Sequence, residues 1–197
     1  MKNILFIDNH DSFVYNIVEL CREVLDYPLE IVSVDDVHML MSQLHEYAGI
    51  IISPGPGLPQ DRPILKEVIR ASANDKCPIP LLGVCLGHQA IAQYFGAELY
   101  HLDAPKHGHL SHLEIMPSRF LKDVSAEDCI GRYHSWAVSQ NHFPKDLCIT
   151  ALSADDWVIM AFEHCSLPIV GVQFHPESII STCGKKIVLN WSKSLNN

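Results

Sequence analysis

A cysteine with glycines two residues to either side ends an apolar run: Pro80-Leu81-Leu82-Gly83-Val84-Cys85-Leu86-Gly87-His88-Gln89. A helix-like stretch, Ala90 to Phe95, follows. Glycine-x-nucleophile-x-glycine between a strand and a helix predicts a tight elbow with the nucleophile at its apex. Side chains at the flanking positions would collide with the neighbouring strand and helix. The turn exposes the sulfur above a helix N-terminus, where the dipole and free N–H groups favour thiolate. The N–H of Leu86 can then point at an oxyanion. Taken alone, the motif is equally compatible with a buried structural cysteine in a glycine-rich turn.

A thiolate nucleophile needs a base. The chain has 12 histidines, so position must choose among them. His175 directly follows the apolar run Pro168 to Phe174, and Glu177 lies two residues on, across the stiff Pro176. Alternate residues of extended chain project to one side, so Glu177 can orient one imidazole nitrogen while the other faces sulfur. Cysteine, histidine and glutamate in that order form a nucleophile, base and orienter set. Ser53-Pro54-Gly55-Pro56-Gly57-Leu58-Pro59 is a rigid loop whose glycines allow close backbone approach, and Gly57 is the candidate second oxyanion donor beside Leu86. It lacks the lysine of a phosphate loop and is no G-x-G-x-x-G motif. Arg132-Tyr133-His134-Ser135-Trp136 is a polar and aromatic patch that reads as an edge strand. His101, His107, His109 and His112 cluster in sequence, but their spacing fits no zinc pattern, and a loop beside substrate or partner is the better reading.

These residues need elements to hold them. Asn3–Ile7 reads as a buried strand and Asp11 or Ser12 as a helix cap. Phe13, Ile17, Leu20, Val24 and Leu25 recur at helical spacing. Leu29–Val34 and Gly49–Ile52 are strands, with a weaker helix over Val37–Tyr47 between them. Arg62–Ala73 is helical, Pro78–Val84 is the strand delivering Cys85, and Gly87–Phe95 is the helix leaving it. This alternation predicts an α/β fold: a mostly parallel open sheet, flavodoxin-like, with helices on both faces. After Gly96, short strands over Glu98–His101, Leu110–Met116, Cys129–His134, Leu147–Leu152 and Trp157–Glu163 predict antiparallel additions to the sheet edge. Leu167–Phe174 is a further strand and Cys183–Leu195 a closing helix, with Ile187, Val188 and Trp191 facing inward. In open sheets ligands bind beyond the C-terminal strand ends, where both Cys85 and His175 would lie.

The 197 residues fit a single domain, 1–197, and the −9 formal charge without a basic run argues against nucleic acid. Seven cysteines with no C-x-x-C pair predict a reduced, cytoplasmic protein, and no stretch reads as a signal peptide or membrane span.

Four segments together resemble the class I glutamine amidotransferases: Phe6 to Phe13, Ser53 to Gly57, Gly83 to Gln89, and Gly171 to Ser178. The opening segment and Arg132-Tyr133-His134-Ser135 are similar to the small subunits of chorismate-aminating synthases, which make anthranilate or 4-amino-4-deoxychorismate. The resemblance implies that Cys85 attacks the side-chain amide of L-glutamine, ammonia leaves, and water releases glutamate from a thioester. His175 would be the general acid/base and Glu177 its orienter. Gly57 and Leu86 would supply the oxyanion hole, and Gly55, Pro56, Gly57, Gln89, Ser135 and Trp136 would hold the glutamine. It further implies a large chorismate-binding partner subunit that receives the ammonia and carries any magnesium, with no cofactor in this chain. A free-standing thiol amidohydrolase on γ-glutamyl substrates and a catalytically idle binding subunit are the alternatives.

Overall fold

The computed structural model describes residues 2–195. Eleven strands and four α-helices are assigned among them: β1 Ile4–Asp8, α1 Val14–Val24, β2 Leu29–Ser33, β3 Gly49–Ile52, α2 Ile64–Ser72, β4 Leu81–Val84, α3 Leu86–Tyr94, β5 Leu99–His101, β6 His109–Ile115, β7 Cys129–Arg132, β8 Trp136–Val138, β9 Leu147–Ser153, β10 Ile159–His164, β11 Ile169–Val172 and α4 Gly184–Ser192. Nine strands form one sheet in the order β2-β1-β3-β4-β11-β10-β9-β6-β7. The first five are mutually parallel, and the remaining four continue it antiparallel.

Strand alternation divides the core. Ile4 and Phe6 of β1 pack on one face with Val14, Ile17 and Val18 of α1 and Ile187, Val188 and Trp191 of α4. Leu5 and Ile7 face the other way, onto Leu65, Val68 and Ile69 of α2 and Ala90, Ile91 and Ala92 of α3. Strands covered on both faces must be apolar where they are buried, and β3, β4, β11 and β1 as far as Ile7 are. Each buried Leu or Ile contributes roughly 1.5–3 kcal/mol, so these four strands carry much of the stability.

Three expectations change. Val37–Tyr47 forms two short 3-10 turns, Val37–Leu40 and Leu44–Glu46, because only Val37 and Leu44 find the core. Phe13 is not on the buried helix face: it precedes α1, is half exposed, and tilts against Tyr133 with ring centroids 6.2 Å apart. Neither Asp11 nor Ser12 caps α1, whose N-cap is Phe13 with no side-chain cap bond; Asp11 Oδ1 instead accepts from the Phe13 N–H at 2.8 Å in the turn before the helix. The third change concerns β5, which does not extend the main sheet. It pairs antiparallel with β8 in a separate two-stranded sheet, Leu99 opposite Val138. The patch expected as one edge strand is therefore split: β7 ends at Arg132, and the chain turns before β8.

Candidate active site

Strand β4 ends at Cys85, which sits at the N-cap of α3 with φ 51° and ψ −98°. A non-glycine residue at such a φ is strained by about 1–3 kcal/mol, sustained only by its surroundings. The glycines explain how. A Cβ on Gly83 would lie 2.5 Å from the Gly87 carbonyl, and one on Gly87 only 2.4 Å from the Ile52 carbonyl oxygen. Neither position has room for a side chain. The Cys85 N–H donates to Val172 O at 2.8 Å, tying the elbow to the neighbouring strand end.

That neighbour is β11, parallel to β4 and in register, Gly171 beside Gly83 and Val172 beside Val84. The pairing carries residues 173–177 to the same rim as the thiol. His175 is held by its backbone N–H donating to Gly131 O at 3.0 Å. Its Nδ1 lies 2.7 Å from Glu177 Oε1, and both side chains are at least nine-tenths buried. Nε2 meets no partner at full hydrogen-bond geometry, yet Cys85 is close enough to act on it. Burial opposes protonation of this imidazole. Cys85 and Glu177 outweigh it and raise the His175 pKa well above the ordinary value. Tyr133 sits edge-on to the ring at 5.1 Å.

A cleft of about 380 Å³ opens over the sulfur. Gly55, Pro56 and Gly57 line one side, Ser135 and Trp136 the other, with Cys85, Leu86 and Gln89 at the base. All eight are residues the sequence singles out, and the structure brings them to one cavity. The loop wall is anchored by buried Asn9, whose N–H donates to Ser53 Oγ and whose Nδ2 donates to Ser53 O, both at 2.9 Å. Gly57 adopts φ +82°, a backbone state that favours glycine.

Two residues at the site escape sequence reasoning. Gln173 is fully buried at the end of β11. Its Nε2 donates to Cys85 Sγ at 3.6 Å, and its Oε1 accepts from Gln89 Nε2 at 3.1 Å. Gln89 Nε2 also donates to Trp136 O at 2.9 Å, so its oxygen is the end left for a ligand. One amide inside an otherwise apolar strand was the available signal. Arg132 is the other, fully buried rather than at an edge. Its Nη1 donates to Asp156 Oδ1 and Ser153 Oγ at 2.9 Å each, and its Nε donates to His134 Nε2 at 3.2 Å. His134 Nδ1 in turn donates to Trp136 O at 2.9 Å. This relay requires neutral imidazole, and burial lowers the His134 pKa to about 4.

The four clustered histidines do not converge. His101 lines the cleft edge-on to Trp136, while His109 pairs with Asp155 at 3.3 Å. Among the described residues no three His, Cys, Asp or Glu groups are placed to hold a metal. Behind His175 and Glu177 a second cavity of about 610 Å³ is rimmed by Phe13, Tyr133, Ser178 and fully exposed Ile179. No described helix is long and apolar enough to cross a membrane.

The family profile described as Glutamine amidotransferase class-I matches residues 5–194. A Haemophilus influenzae relative is 43% identical over 95% of this chain and 94% of its own. Anthranilate synthase component 2 of Saccharolobus solfataricus is 39% identical, covering 97% of this chain and 98% of the relative. Aminodeoxychorismate/anthranilate synthase component 2 of Bacillus subtilis is 37% identical over 95% and 94%. Among solved structures, a glutamine amidotransferase from Thermotoga maritima superposes with a TM-score of 0.77 at 17% identity, over 99% of this chain and 96% of that one. That likeness supports the mixed α/β fold with its largely parallel sheet.

Proposed function

The chain belongs to the class I glutamine amidotransferases, and from that premise we propose that it is the glutaminase subunit of a chorismate-aminating synthase. The observation that carries the reading is the β4–β11 register, which sets a strained thiol beside a buried imidazole–carboxylate pair over a cleft sized for an amino acid.

Cys85 attacks the glutamine side-chain amide. The oxyanion that forms is stabilised by the N–H groups of Gly57 and Leu86. His175, oriented by Glu177, passes a proton to the departing ammonia and then takes one from the water that cleaves the thioester. Gln89 offers its oxygen to the substrate ammonium, and the backbone at Ser135 and Trp136 closes the far side. Ammonia leaves toward the cavity behind His175, whose exposed Phe13 and Ile179 suit a protein partner. That partner binds chorismate and would hold any magnesium. The steps in this chain use only its own side chains and water, so we assign it no cofactor. A reducing cytoplasm suits its unpaired thiols.

The test is reconstitution with a chorismate-binding large subunit. Glutamine hydrolysis should be weak alone and rise in the complex. Cys85→Ser should abolish glutamine-dependent amination and leave amination from added ammonia intact. Loss of both would overturn the assignment. Identifying the aromatic product, ortho- or para-amino, settles the pathway.

A further inference from the structure

Far from the elbow, two thiols meet on the antiparallel half of the sheet. Cys148 lies in β9 opposite Glu163 of β10. Cys165 follows β10, two residues beyond Glu163, so it projects from the same side as Cys148 and is its diagonal neighbour. Backbone and side chain both hold it there. The Cys165 N–H donates to Asp146 O at 2.9 Å, and buried His164 Nδ1 accepts from the N–H groups of Ser166 and Leu167 at 3.1 and 2.9 Å. Arg119 Nη2 fixes the preceding carbonyl, His164 O, at 2.7 Å. Cys148 and Cys165 are both exposed and their thiols are hydrogen-bonded to each other. No other pair of thiols is in such contact among the described residues.

We propose that Cys148 and Cys165 form a reversible redox site that takes low-molecular-weight disulfides and closes to an intramolecular disulfide. Cys148 thiolate attacks the small disulfide, breaking its S–S bond and releasing one thiol. The mixed disulfide at Cys148 is then attacked by Cys165, which loses its proton, and a second small thiol leaves. The balance is one protein dithiol and one small disulfide giving one protein disulfide and two small thiols.

The order follows from the contact. Cys165 Sγ also donates to the Lys145 carbonyl oxygen at 3.5 Å, which engages its proton and leaves Cys148 as the attacking sulfur. The hydrogen bond to Cys148, with a smaller effect of burial, pushes the Cys165 thiol up to about 11. Once Cys148 is capped, its influence on Cys165 is gone and the second thiol is released to resolve. The other cysteines differ: Cys21 and Cys183 are buried, and burial pushes each up to about 12.

The probe is oxidised glutathione, added to the reduced full-length chain, with peptide mass mapping after trapping of free thiols. Wild type should lose two hydrogens, join the Cys148 and Cys165 peptides, and keep no glutathione on either. Cys165→Ser should instead retain one glutathione on Cys148. Dithiothreitol should reverse both. A wild-type protein that keeps glutathione on Cys148 without cross-linking, joins either residue to a different cysteine, or leaves both thiols free overturns the proposal.

Discussion

The two walls of the cleft over Cys85 are built by different means. The wall on the parallel half, elbow and 53–59 loop, is set mainly by backbone: positions where a Cβ does not fit and a cysteine held at positive φ. The opposite wall, Tyr133 to Trp136, is set by side chains: Arg132 to His134 to the Trp136 carbonyl, with Asp156 as counter-ion. Backbone sterics are all-or-none, whereas a polar relay is graded. Changes in the first wall should therefore destroy the chemistry, and changes in the second should loosen substrate binding and leave the thiol competent.

The sharpest break of that contrast is Gly87→Ala. Its Cβ would meet Ile52 O at 2.4 Å, on a core strand that cannot yield. Glutamine-dependent activity should fall to background, with about 1–3 kcal/mol lost in denaturant unfolding. Gly96→Ala is the control: φ is +103°, but nothing lies within 4 Å. It should cost only the backbone strain, about 1–2 kcal/mol, and retain activity. Equal loss of activity in both variants would mean that crowding is not what shapes the elbow.

Arg132→Met tests the other wall. It strands His134 and leaves Asp156 with only the longer Lys106 contact, at 3.5 Å, for a cation. Breaking a fully buried pair costs roughly 3–5 kcal/mol, and Asp156, about a third exposed, puts this one at or below the lower end. In the reconstituted complex, KM for glutamine should rise about tenfold, a 1.4 kcal/mol effect, while ammonia-dependent amination is unchanged. An unaltered KM would detach the relay from the substrate wall.

Acid should separate the walls as well. Burial lowers His134 to about 4 and His88 to about 3. The unfolded chain takes up these protons near pH 6.5, where the folded protein refuses them, so stability falls as pH drops through the window from about 6.5 to 3. His175 has the opposite sign: its raised pKa contributes stability that is full below about 6.5 and lost as pH rises through the folded value. Melting temperatures from about pH 6.5 to 4.5 should decline, and His134→Gln should flatten the decline by removing one of the three imidazoles whose pKa burial lowers, His88, His134 and His164. A slope identical to wild type would show that His134 does not contribute.

The same contrast explains what could be read from the chain beforehand. Apolar runs such as Ile4–Ile7 and Leu81–Val84, and glycines at 83 and 87, are local signals with one steric meaning, so the parallel half and the elbow were legible. The pairing of His175 with Glu177 was legible because two residues of extended chain fix it. Arg132 was not, because its partners Ser153 and Asp156 come from the end of β9 and the turn after it, and nothing local distinguishes a buried arginine from an edge one. The separate β5–β8 sheet was missed for a related reason: three-residue strands are defined by their partner, not their own pattern.

Gln173 straddles the two walls, which makes it the finest probe of the comparison and the smallest expected effect. Its Nε2 reaches the thiol and its Oε1 holds Gln89, whose other contact is the Trp136 carbonyl. Gln173→Glu keeps the acceptor for Gln89 but removes the donor to sulfur and places negative charge beside the thiolate. In the complex kcat should fall about fivefold to tenfold, near 1–1.4 kcal/mol for one hydrogen bond, with KM within about twofold. Gln173→Met removes both contacts, so KM should rise as well. The pair of variants thereby splits the residue into its two bonds. If Gln173→Glu raised KM and spared kcat, the amide would be serving the substrate wall alone, and the sulfur would be held by the elbow backbone without its help.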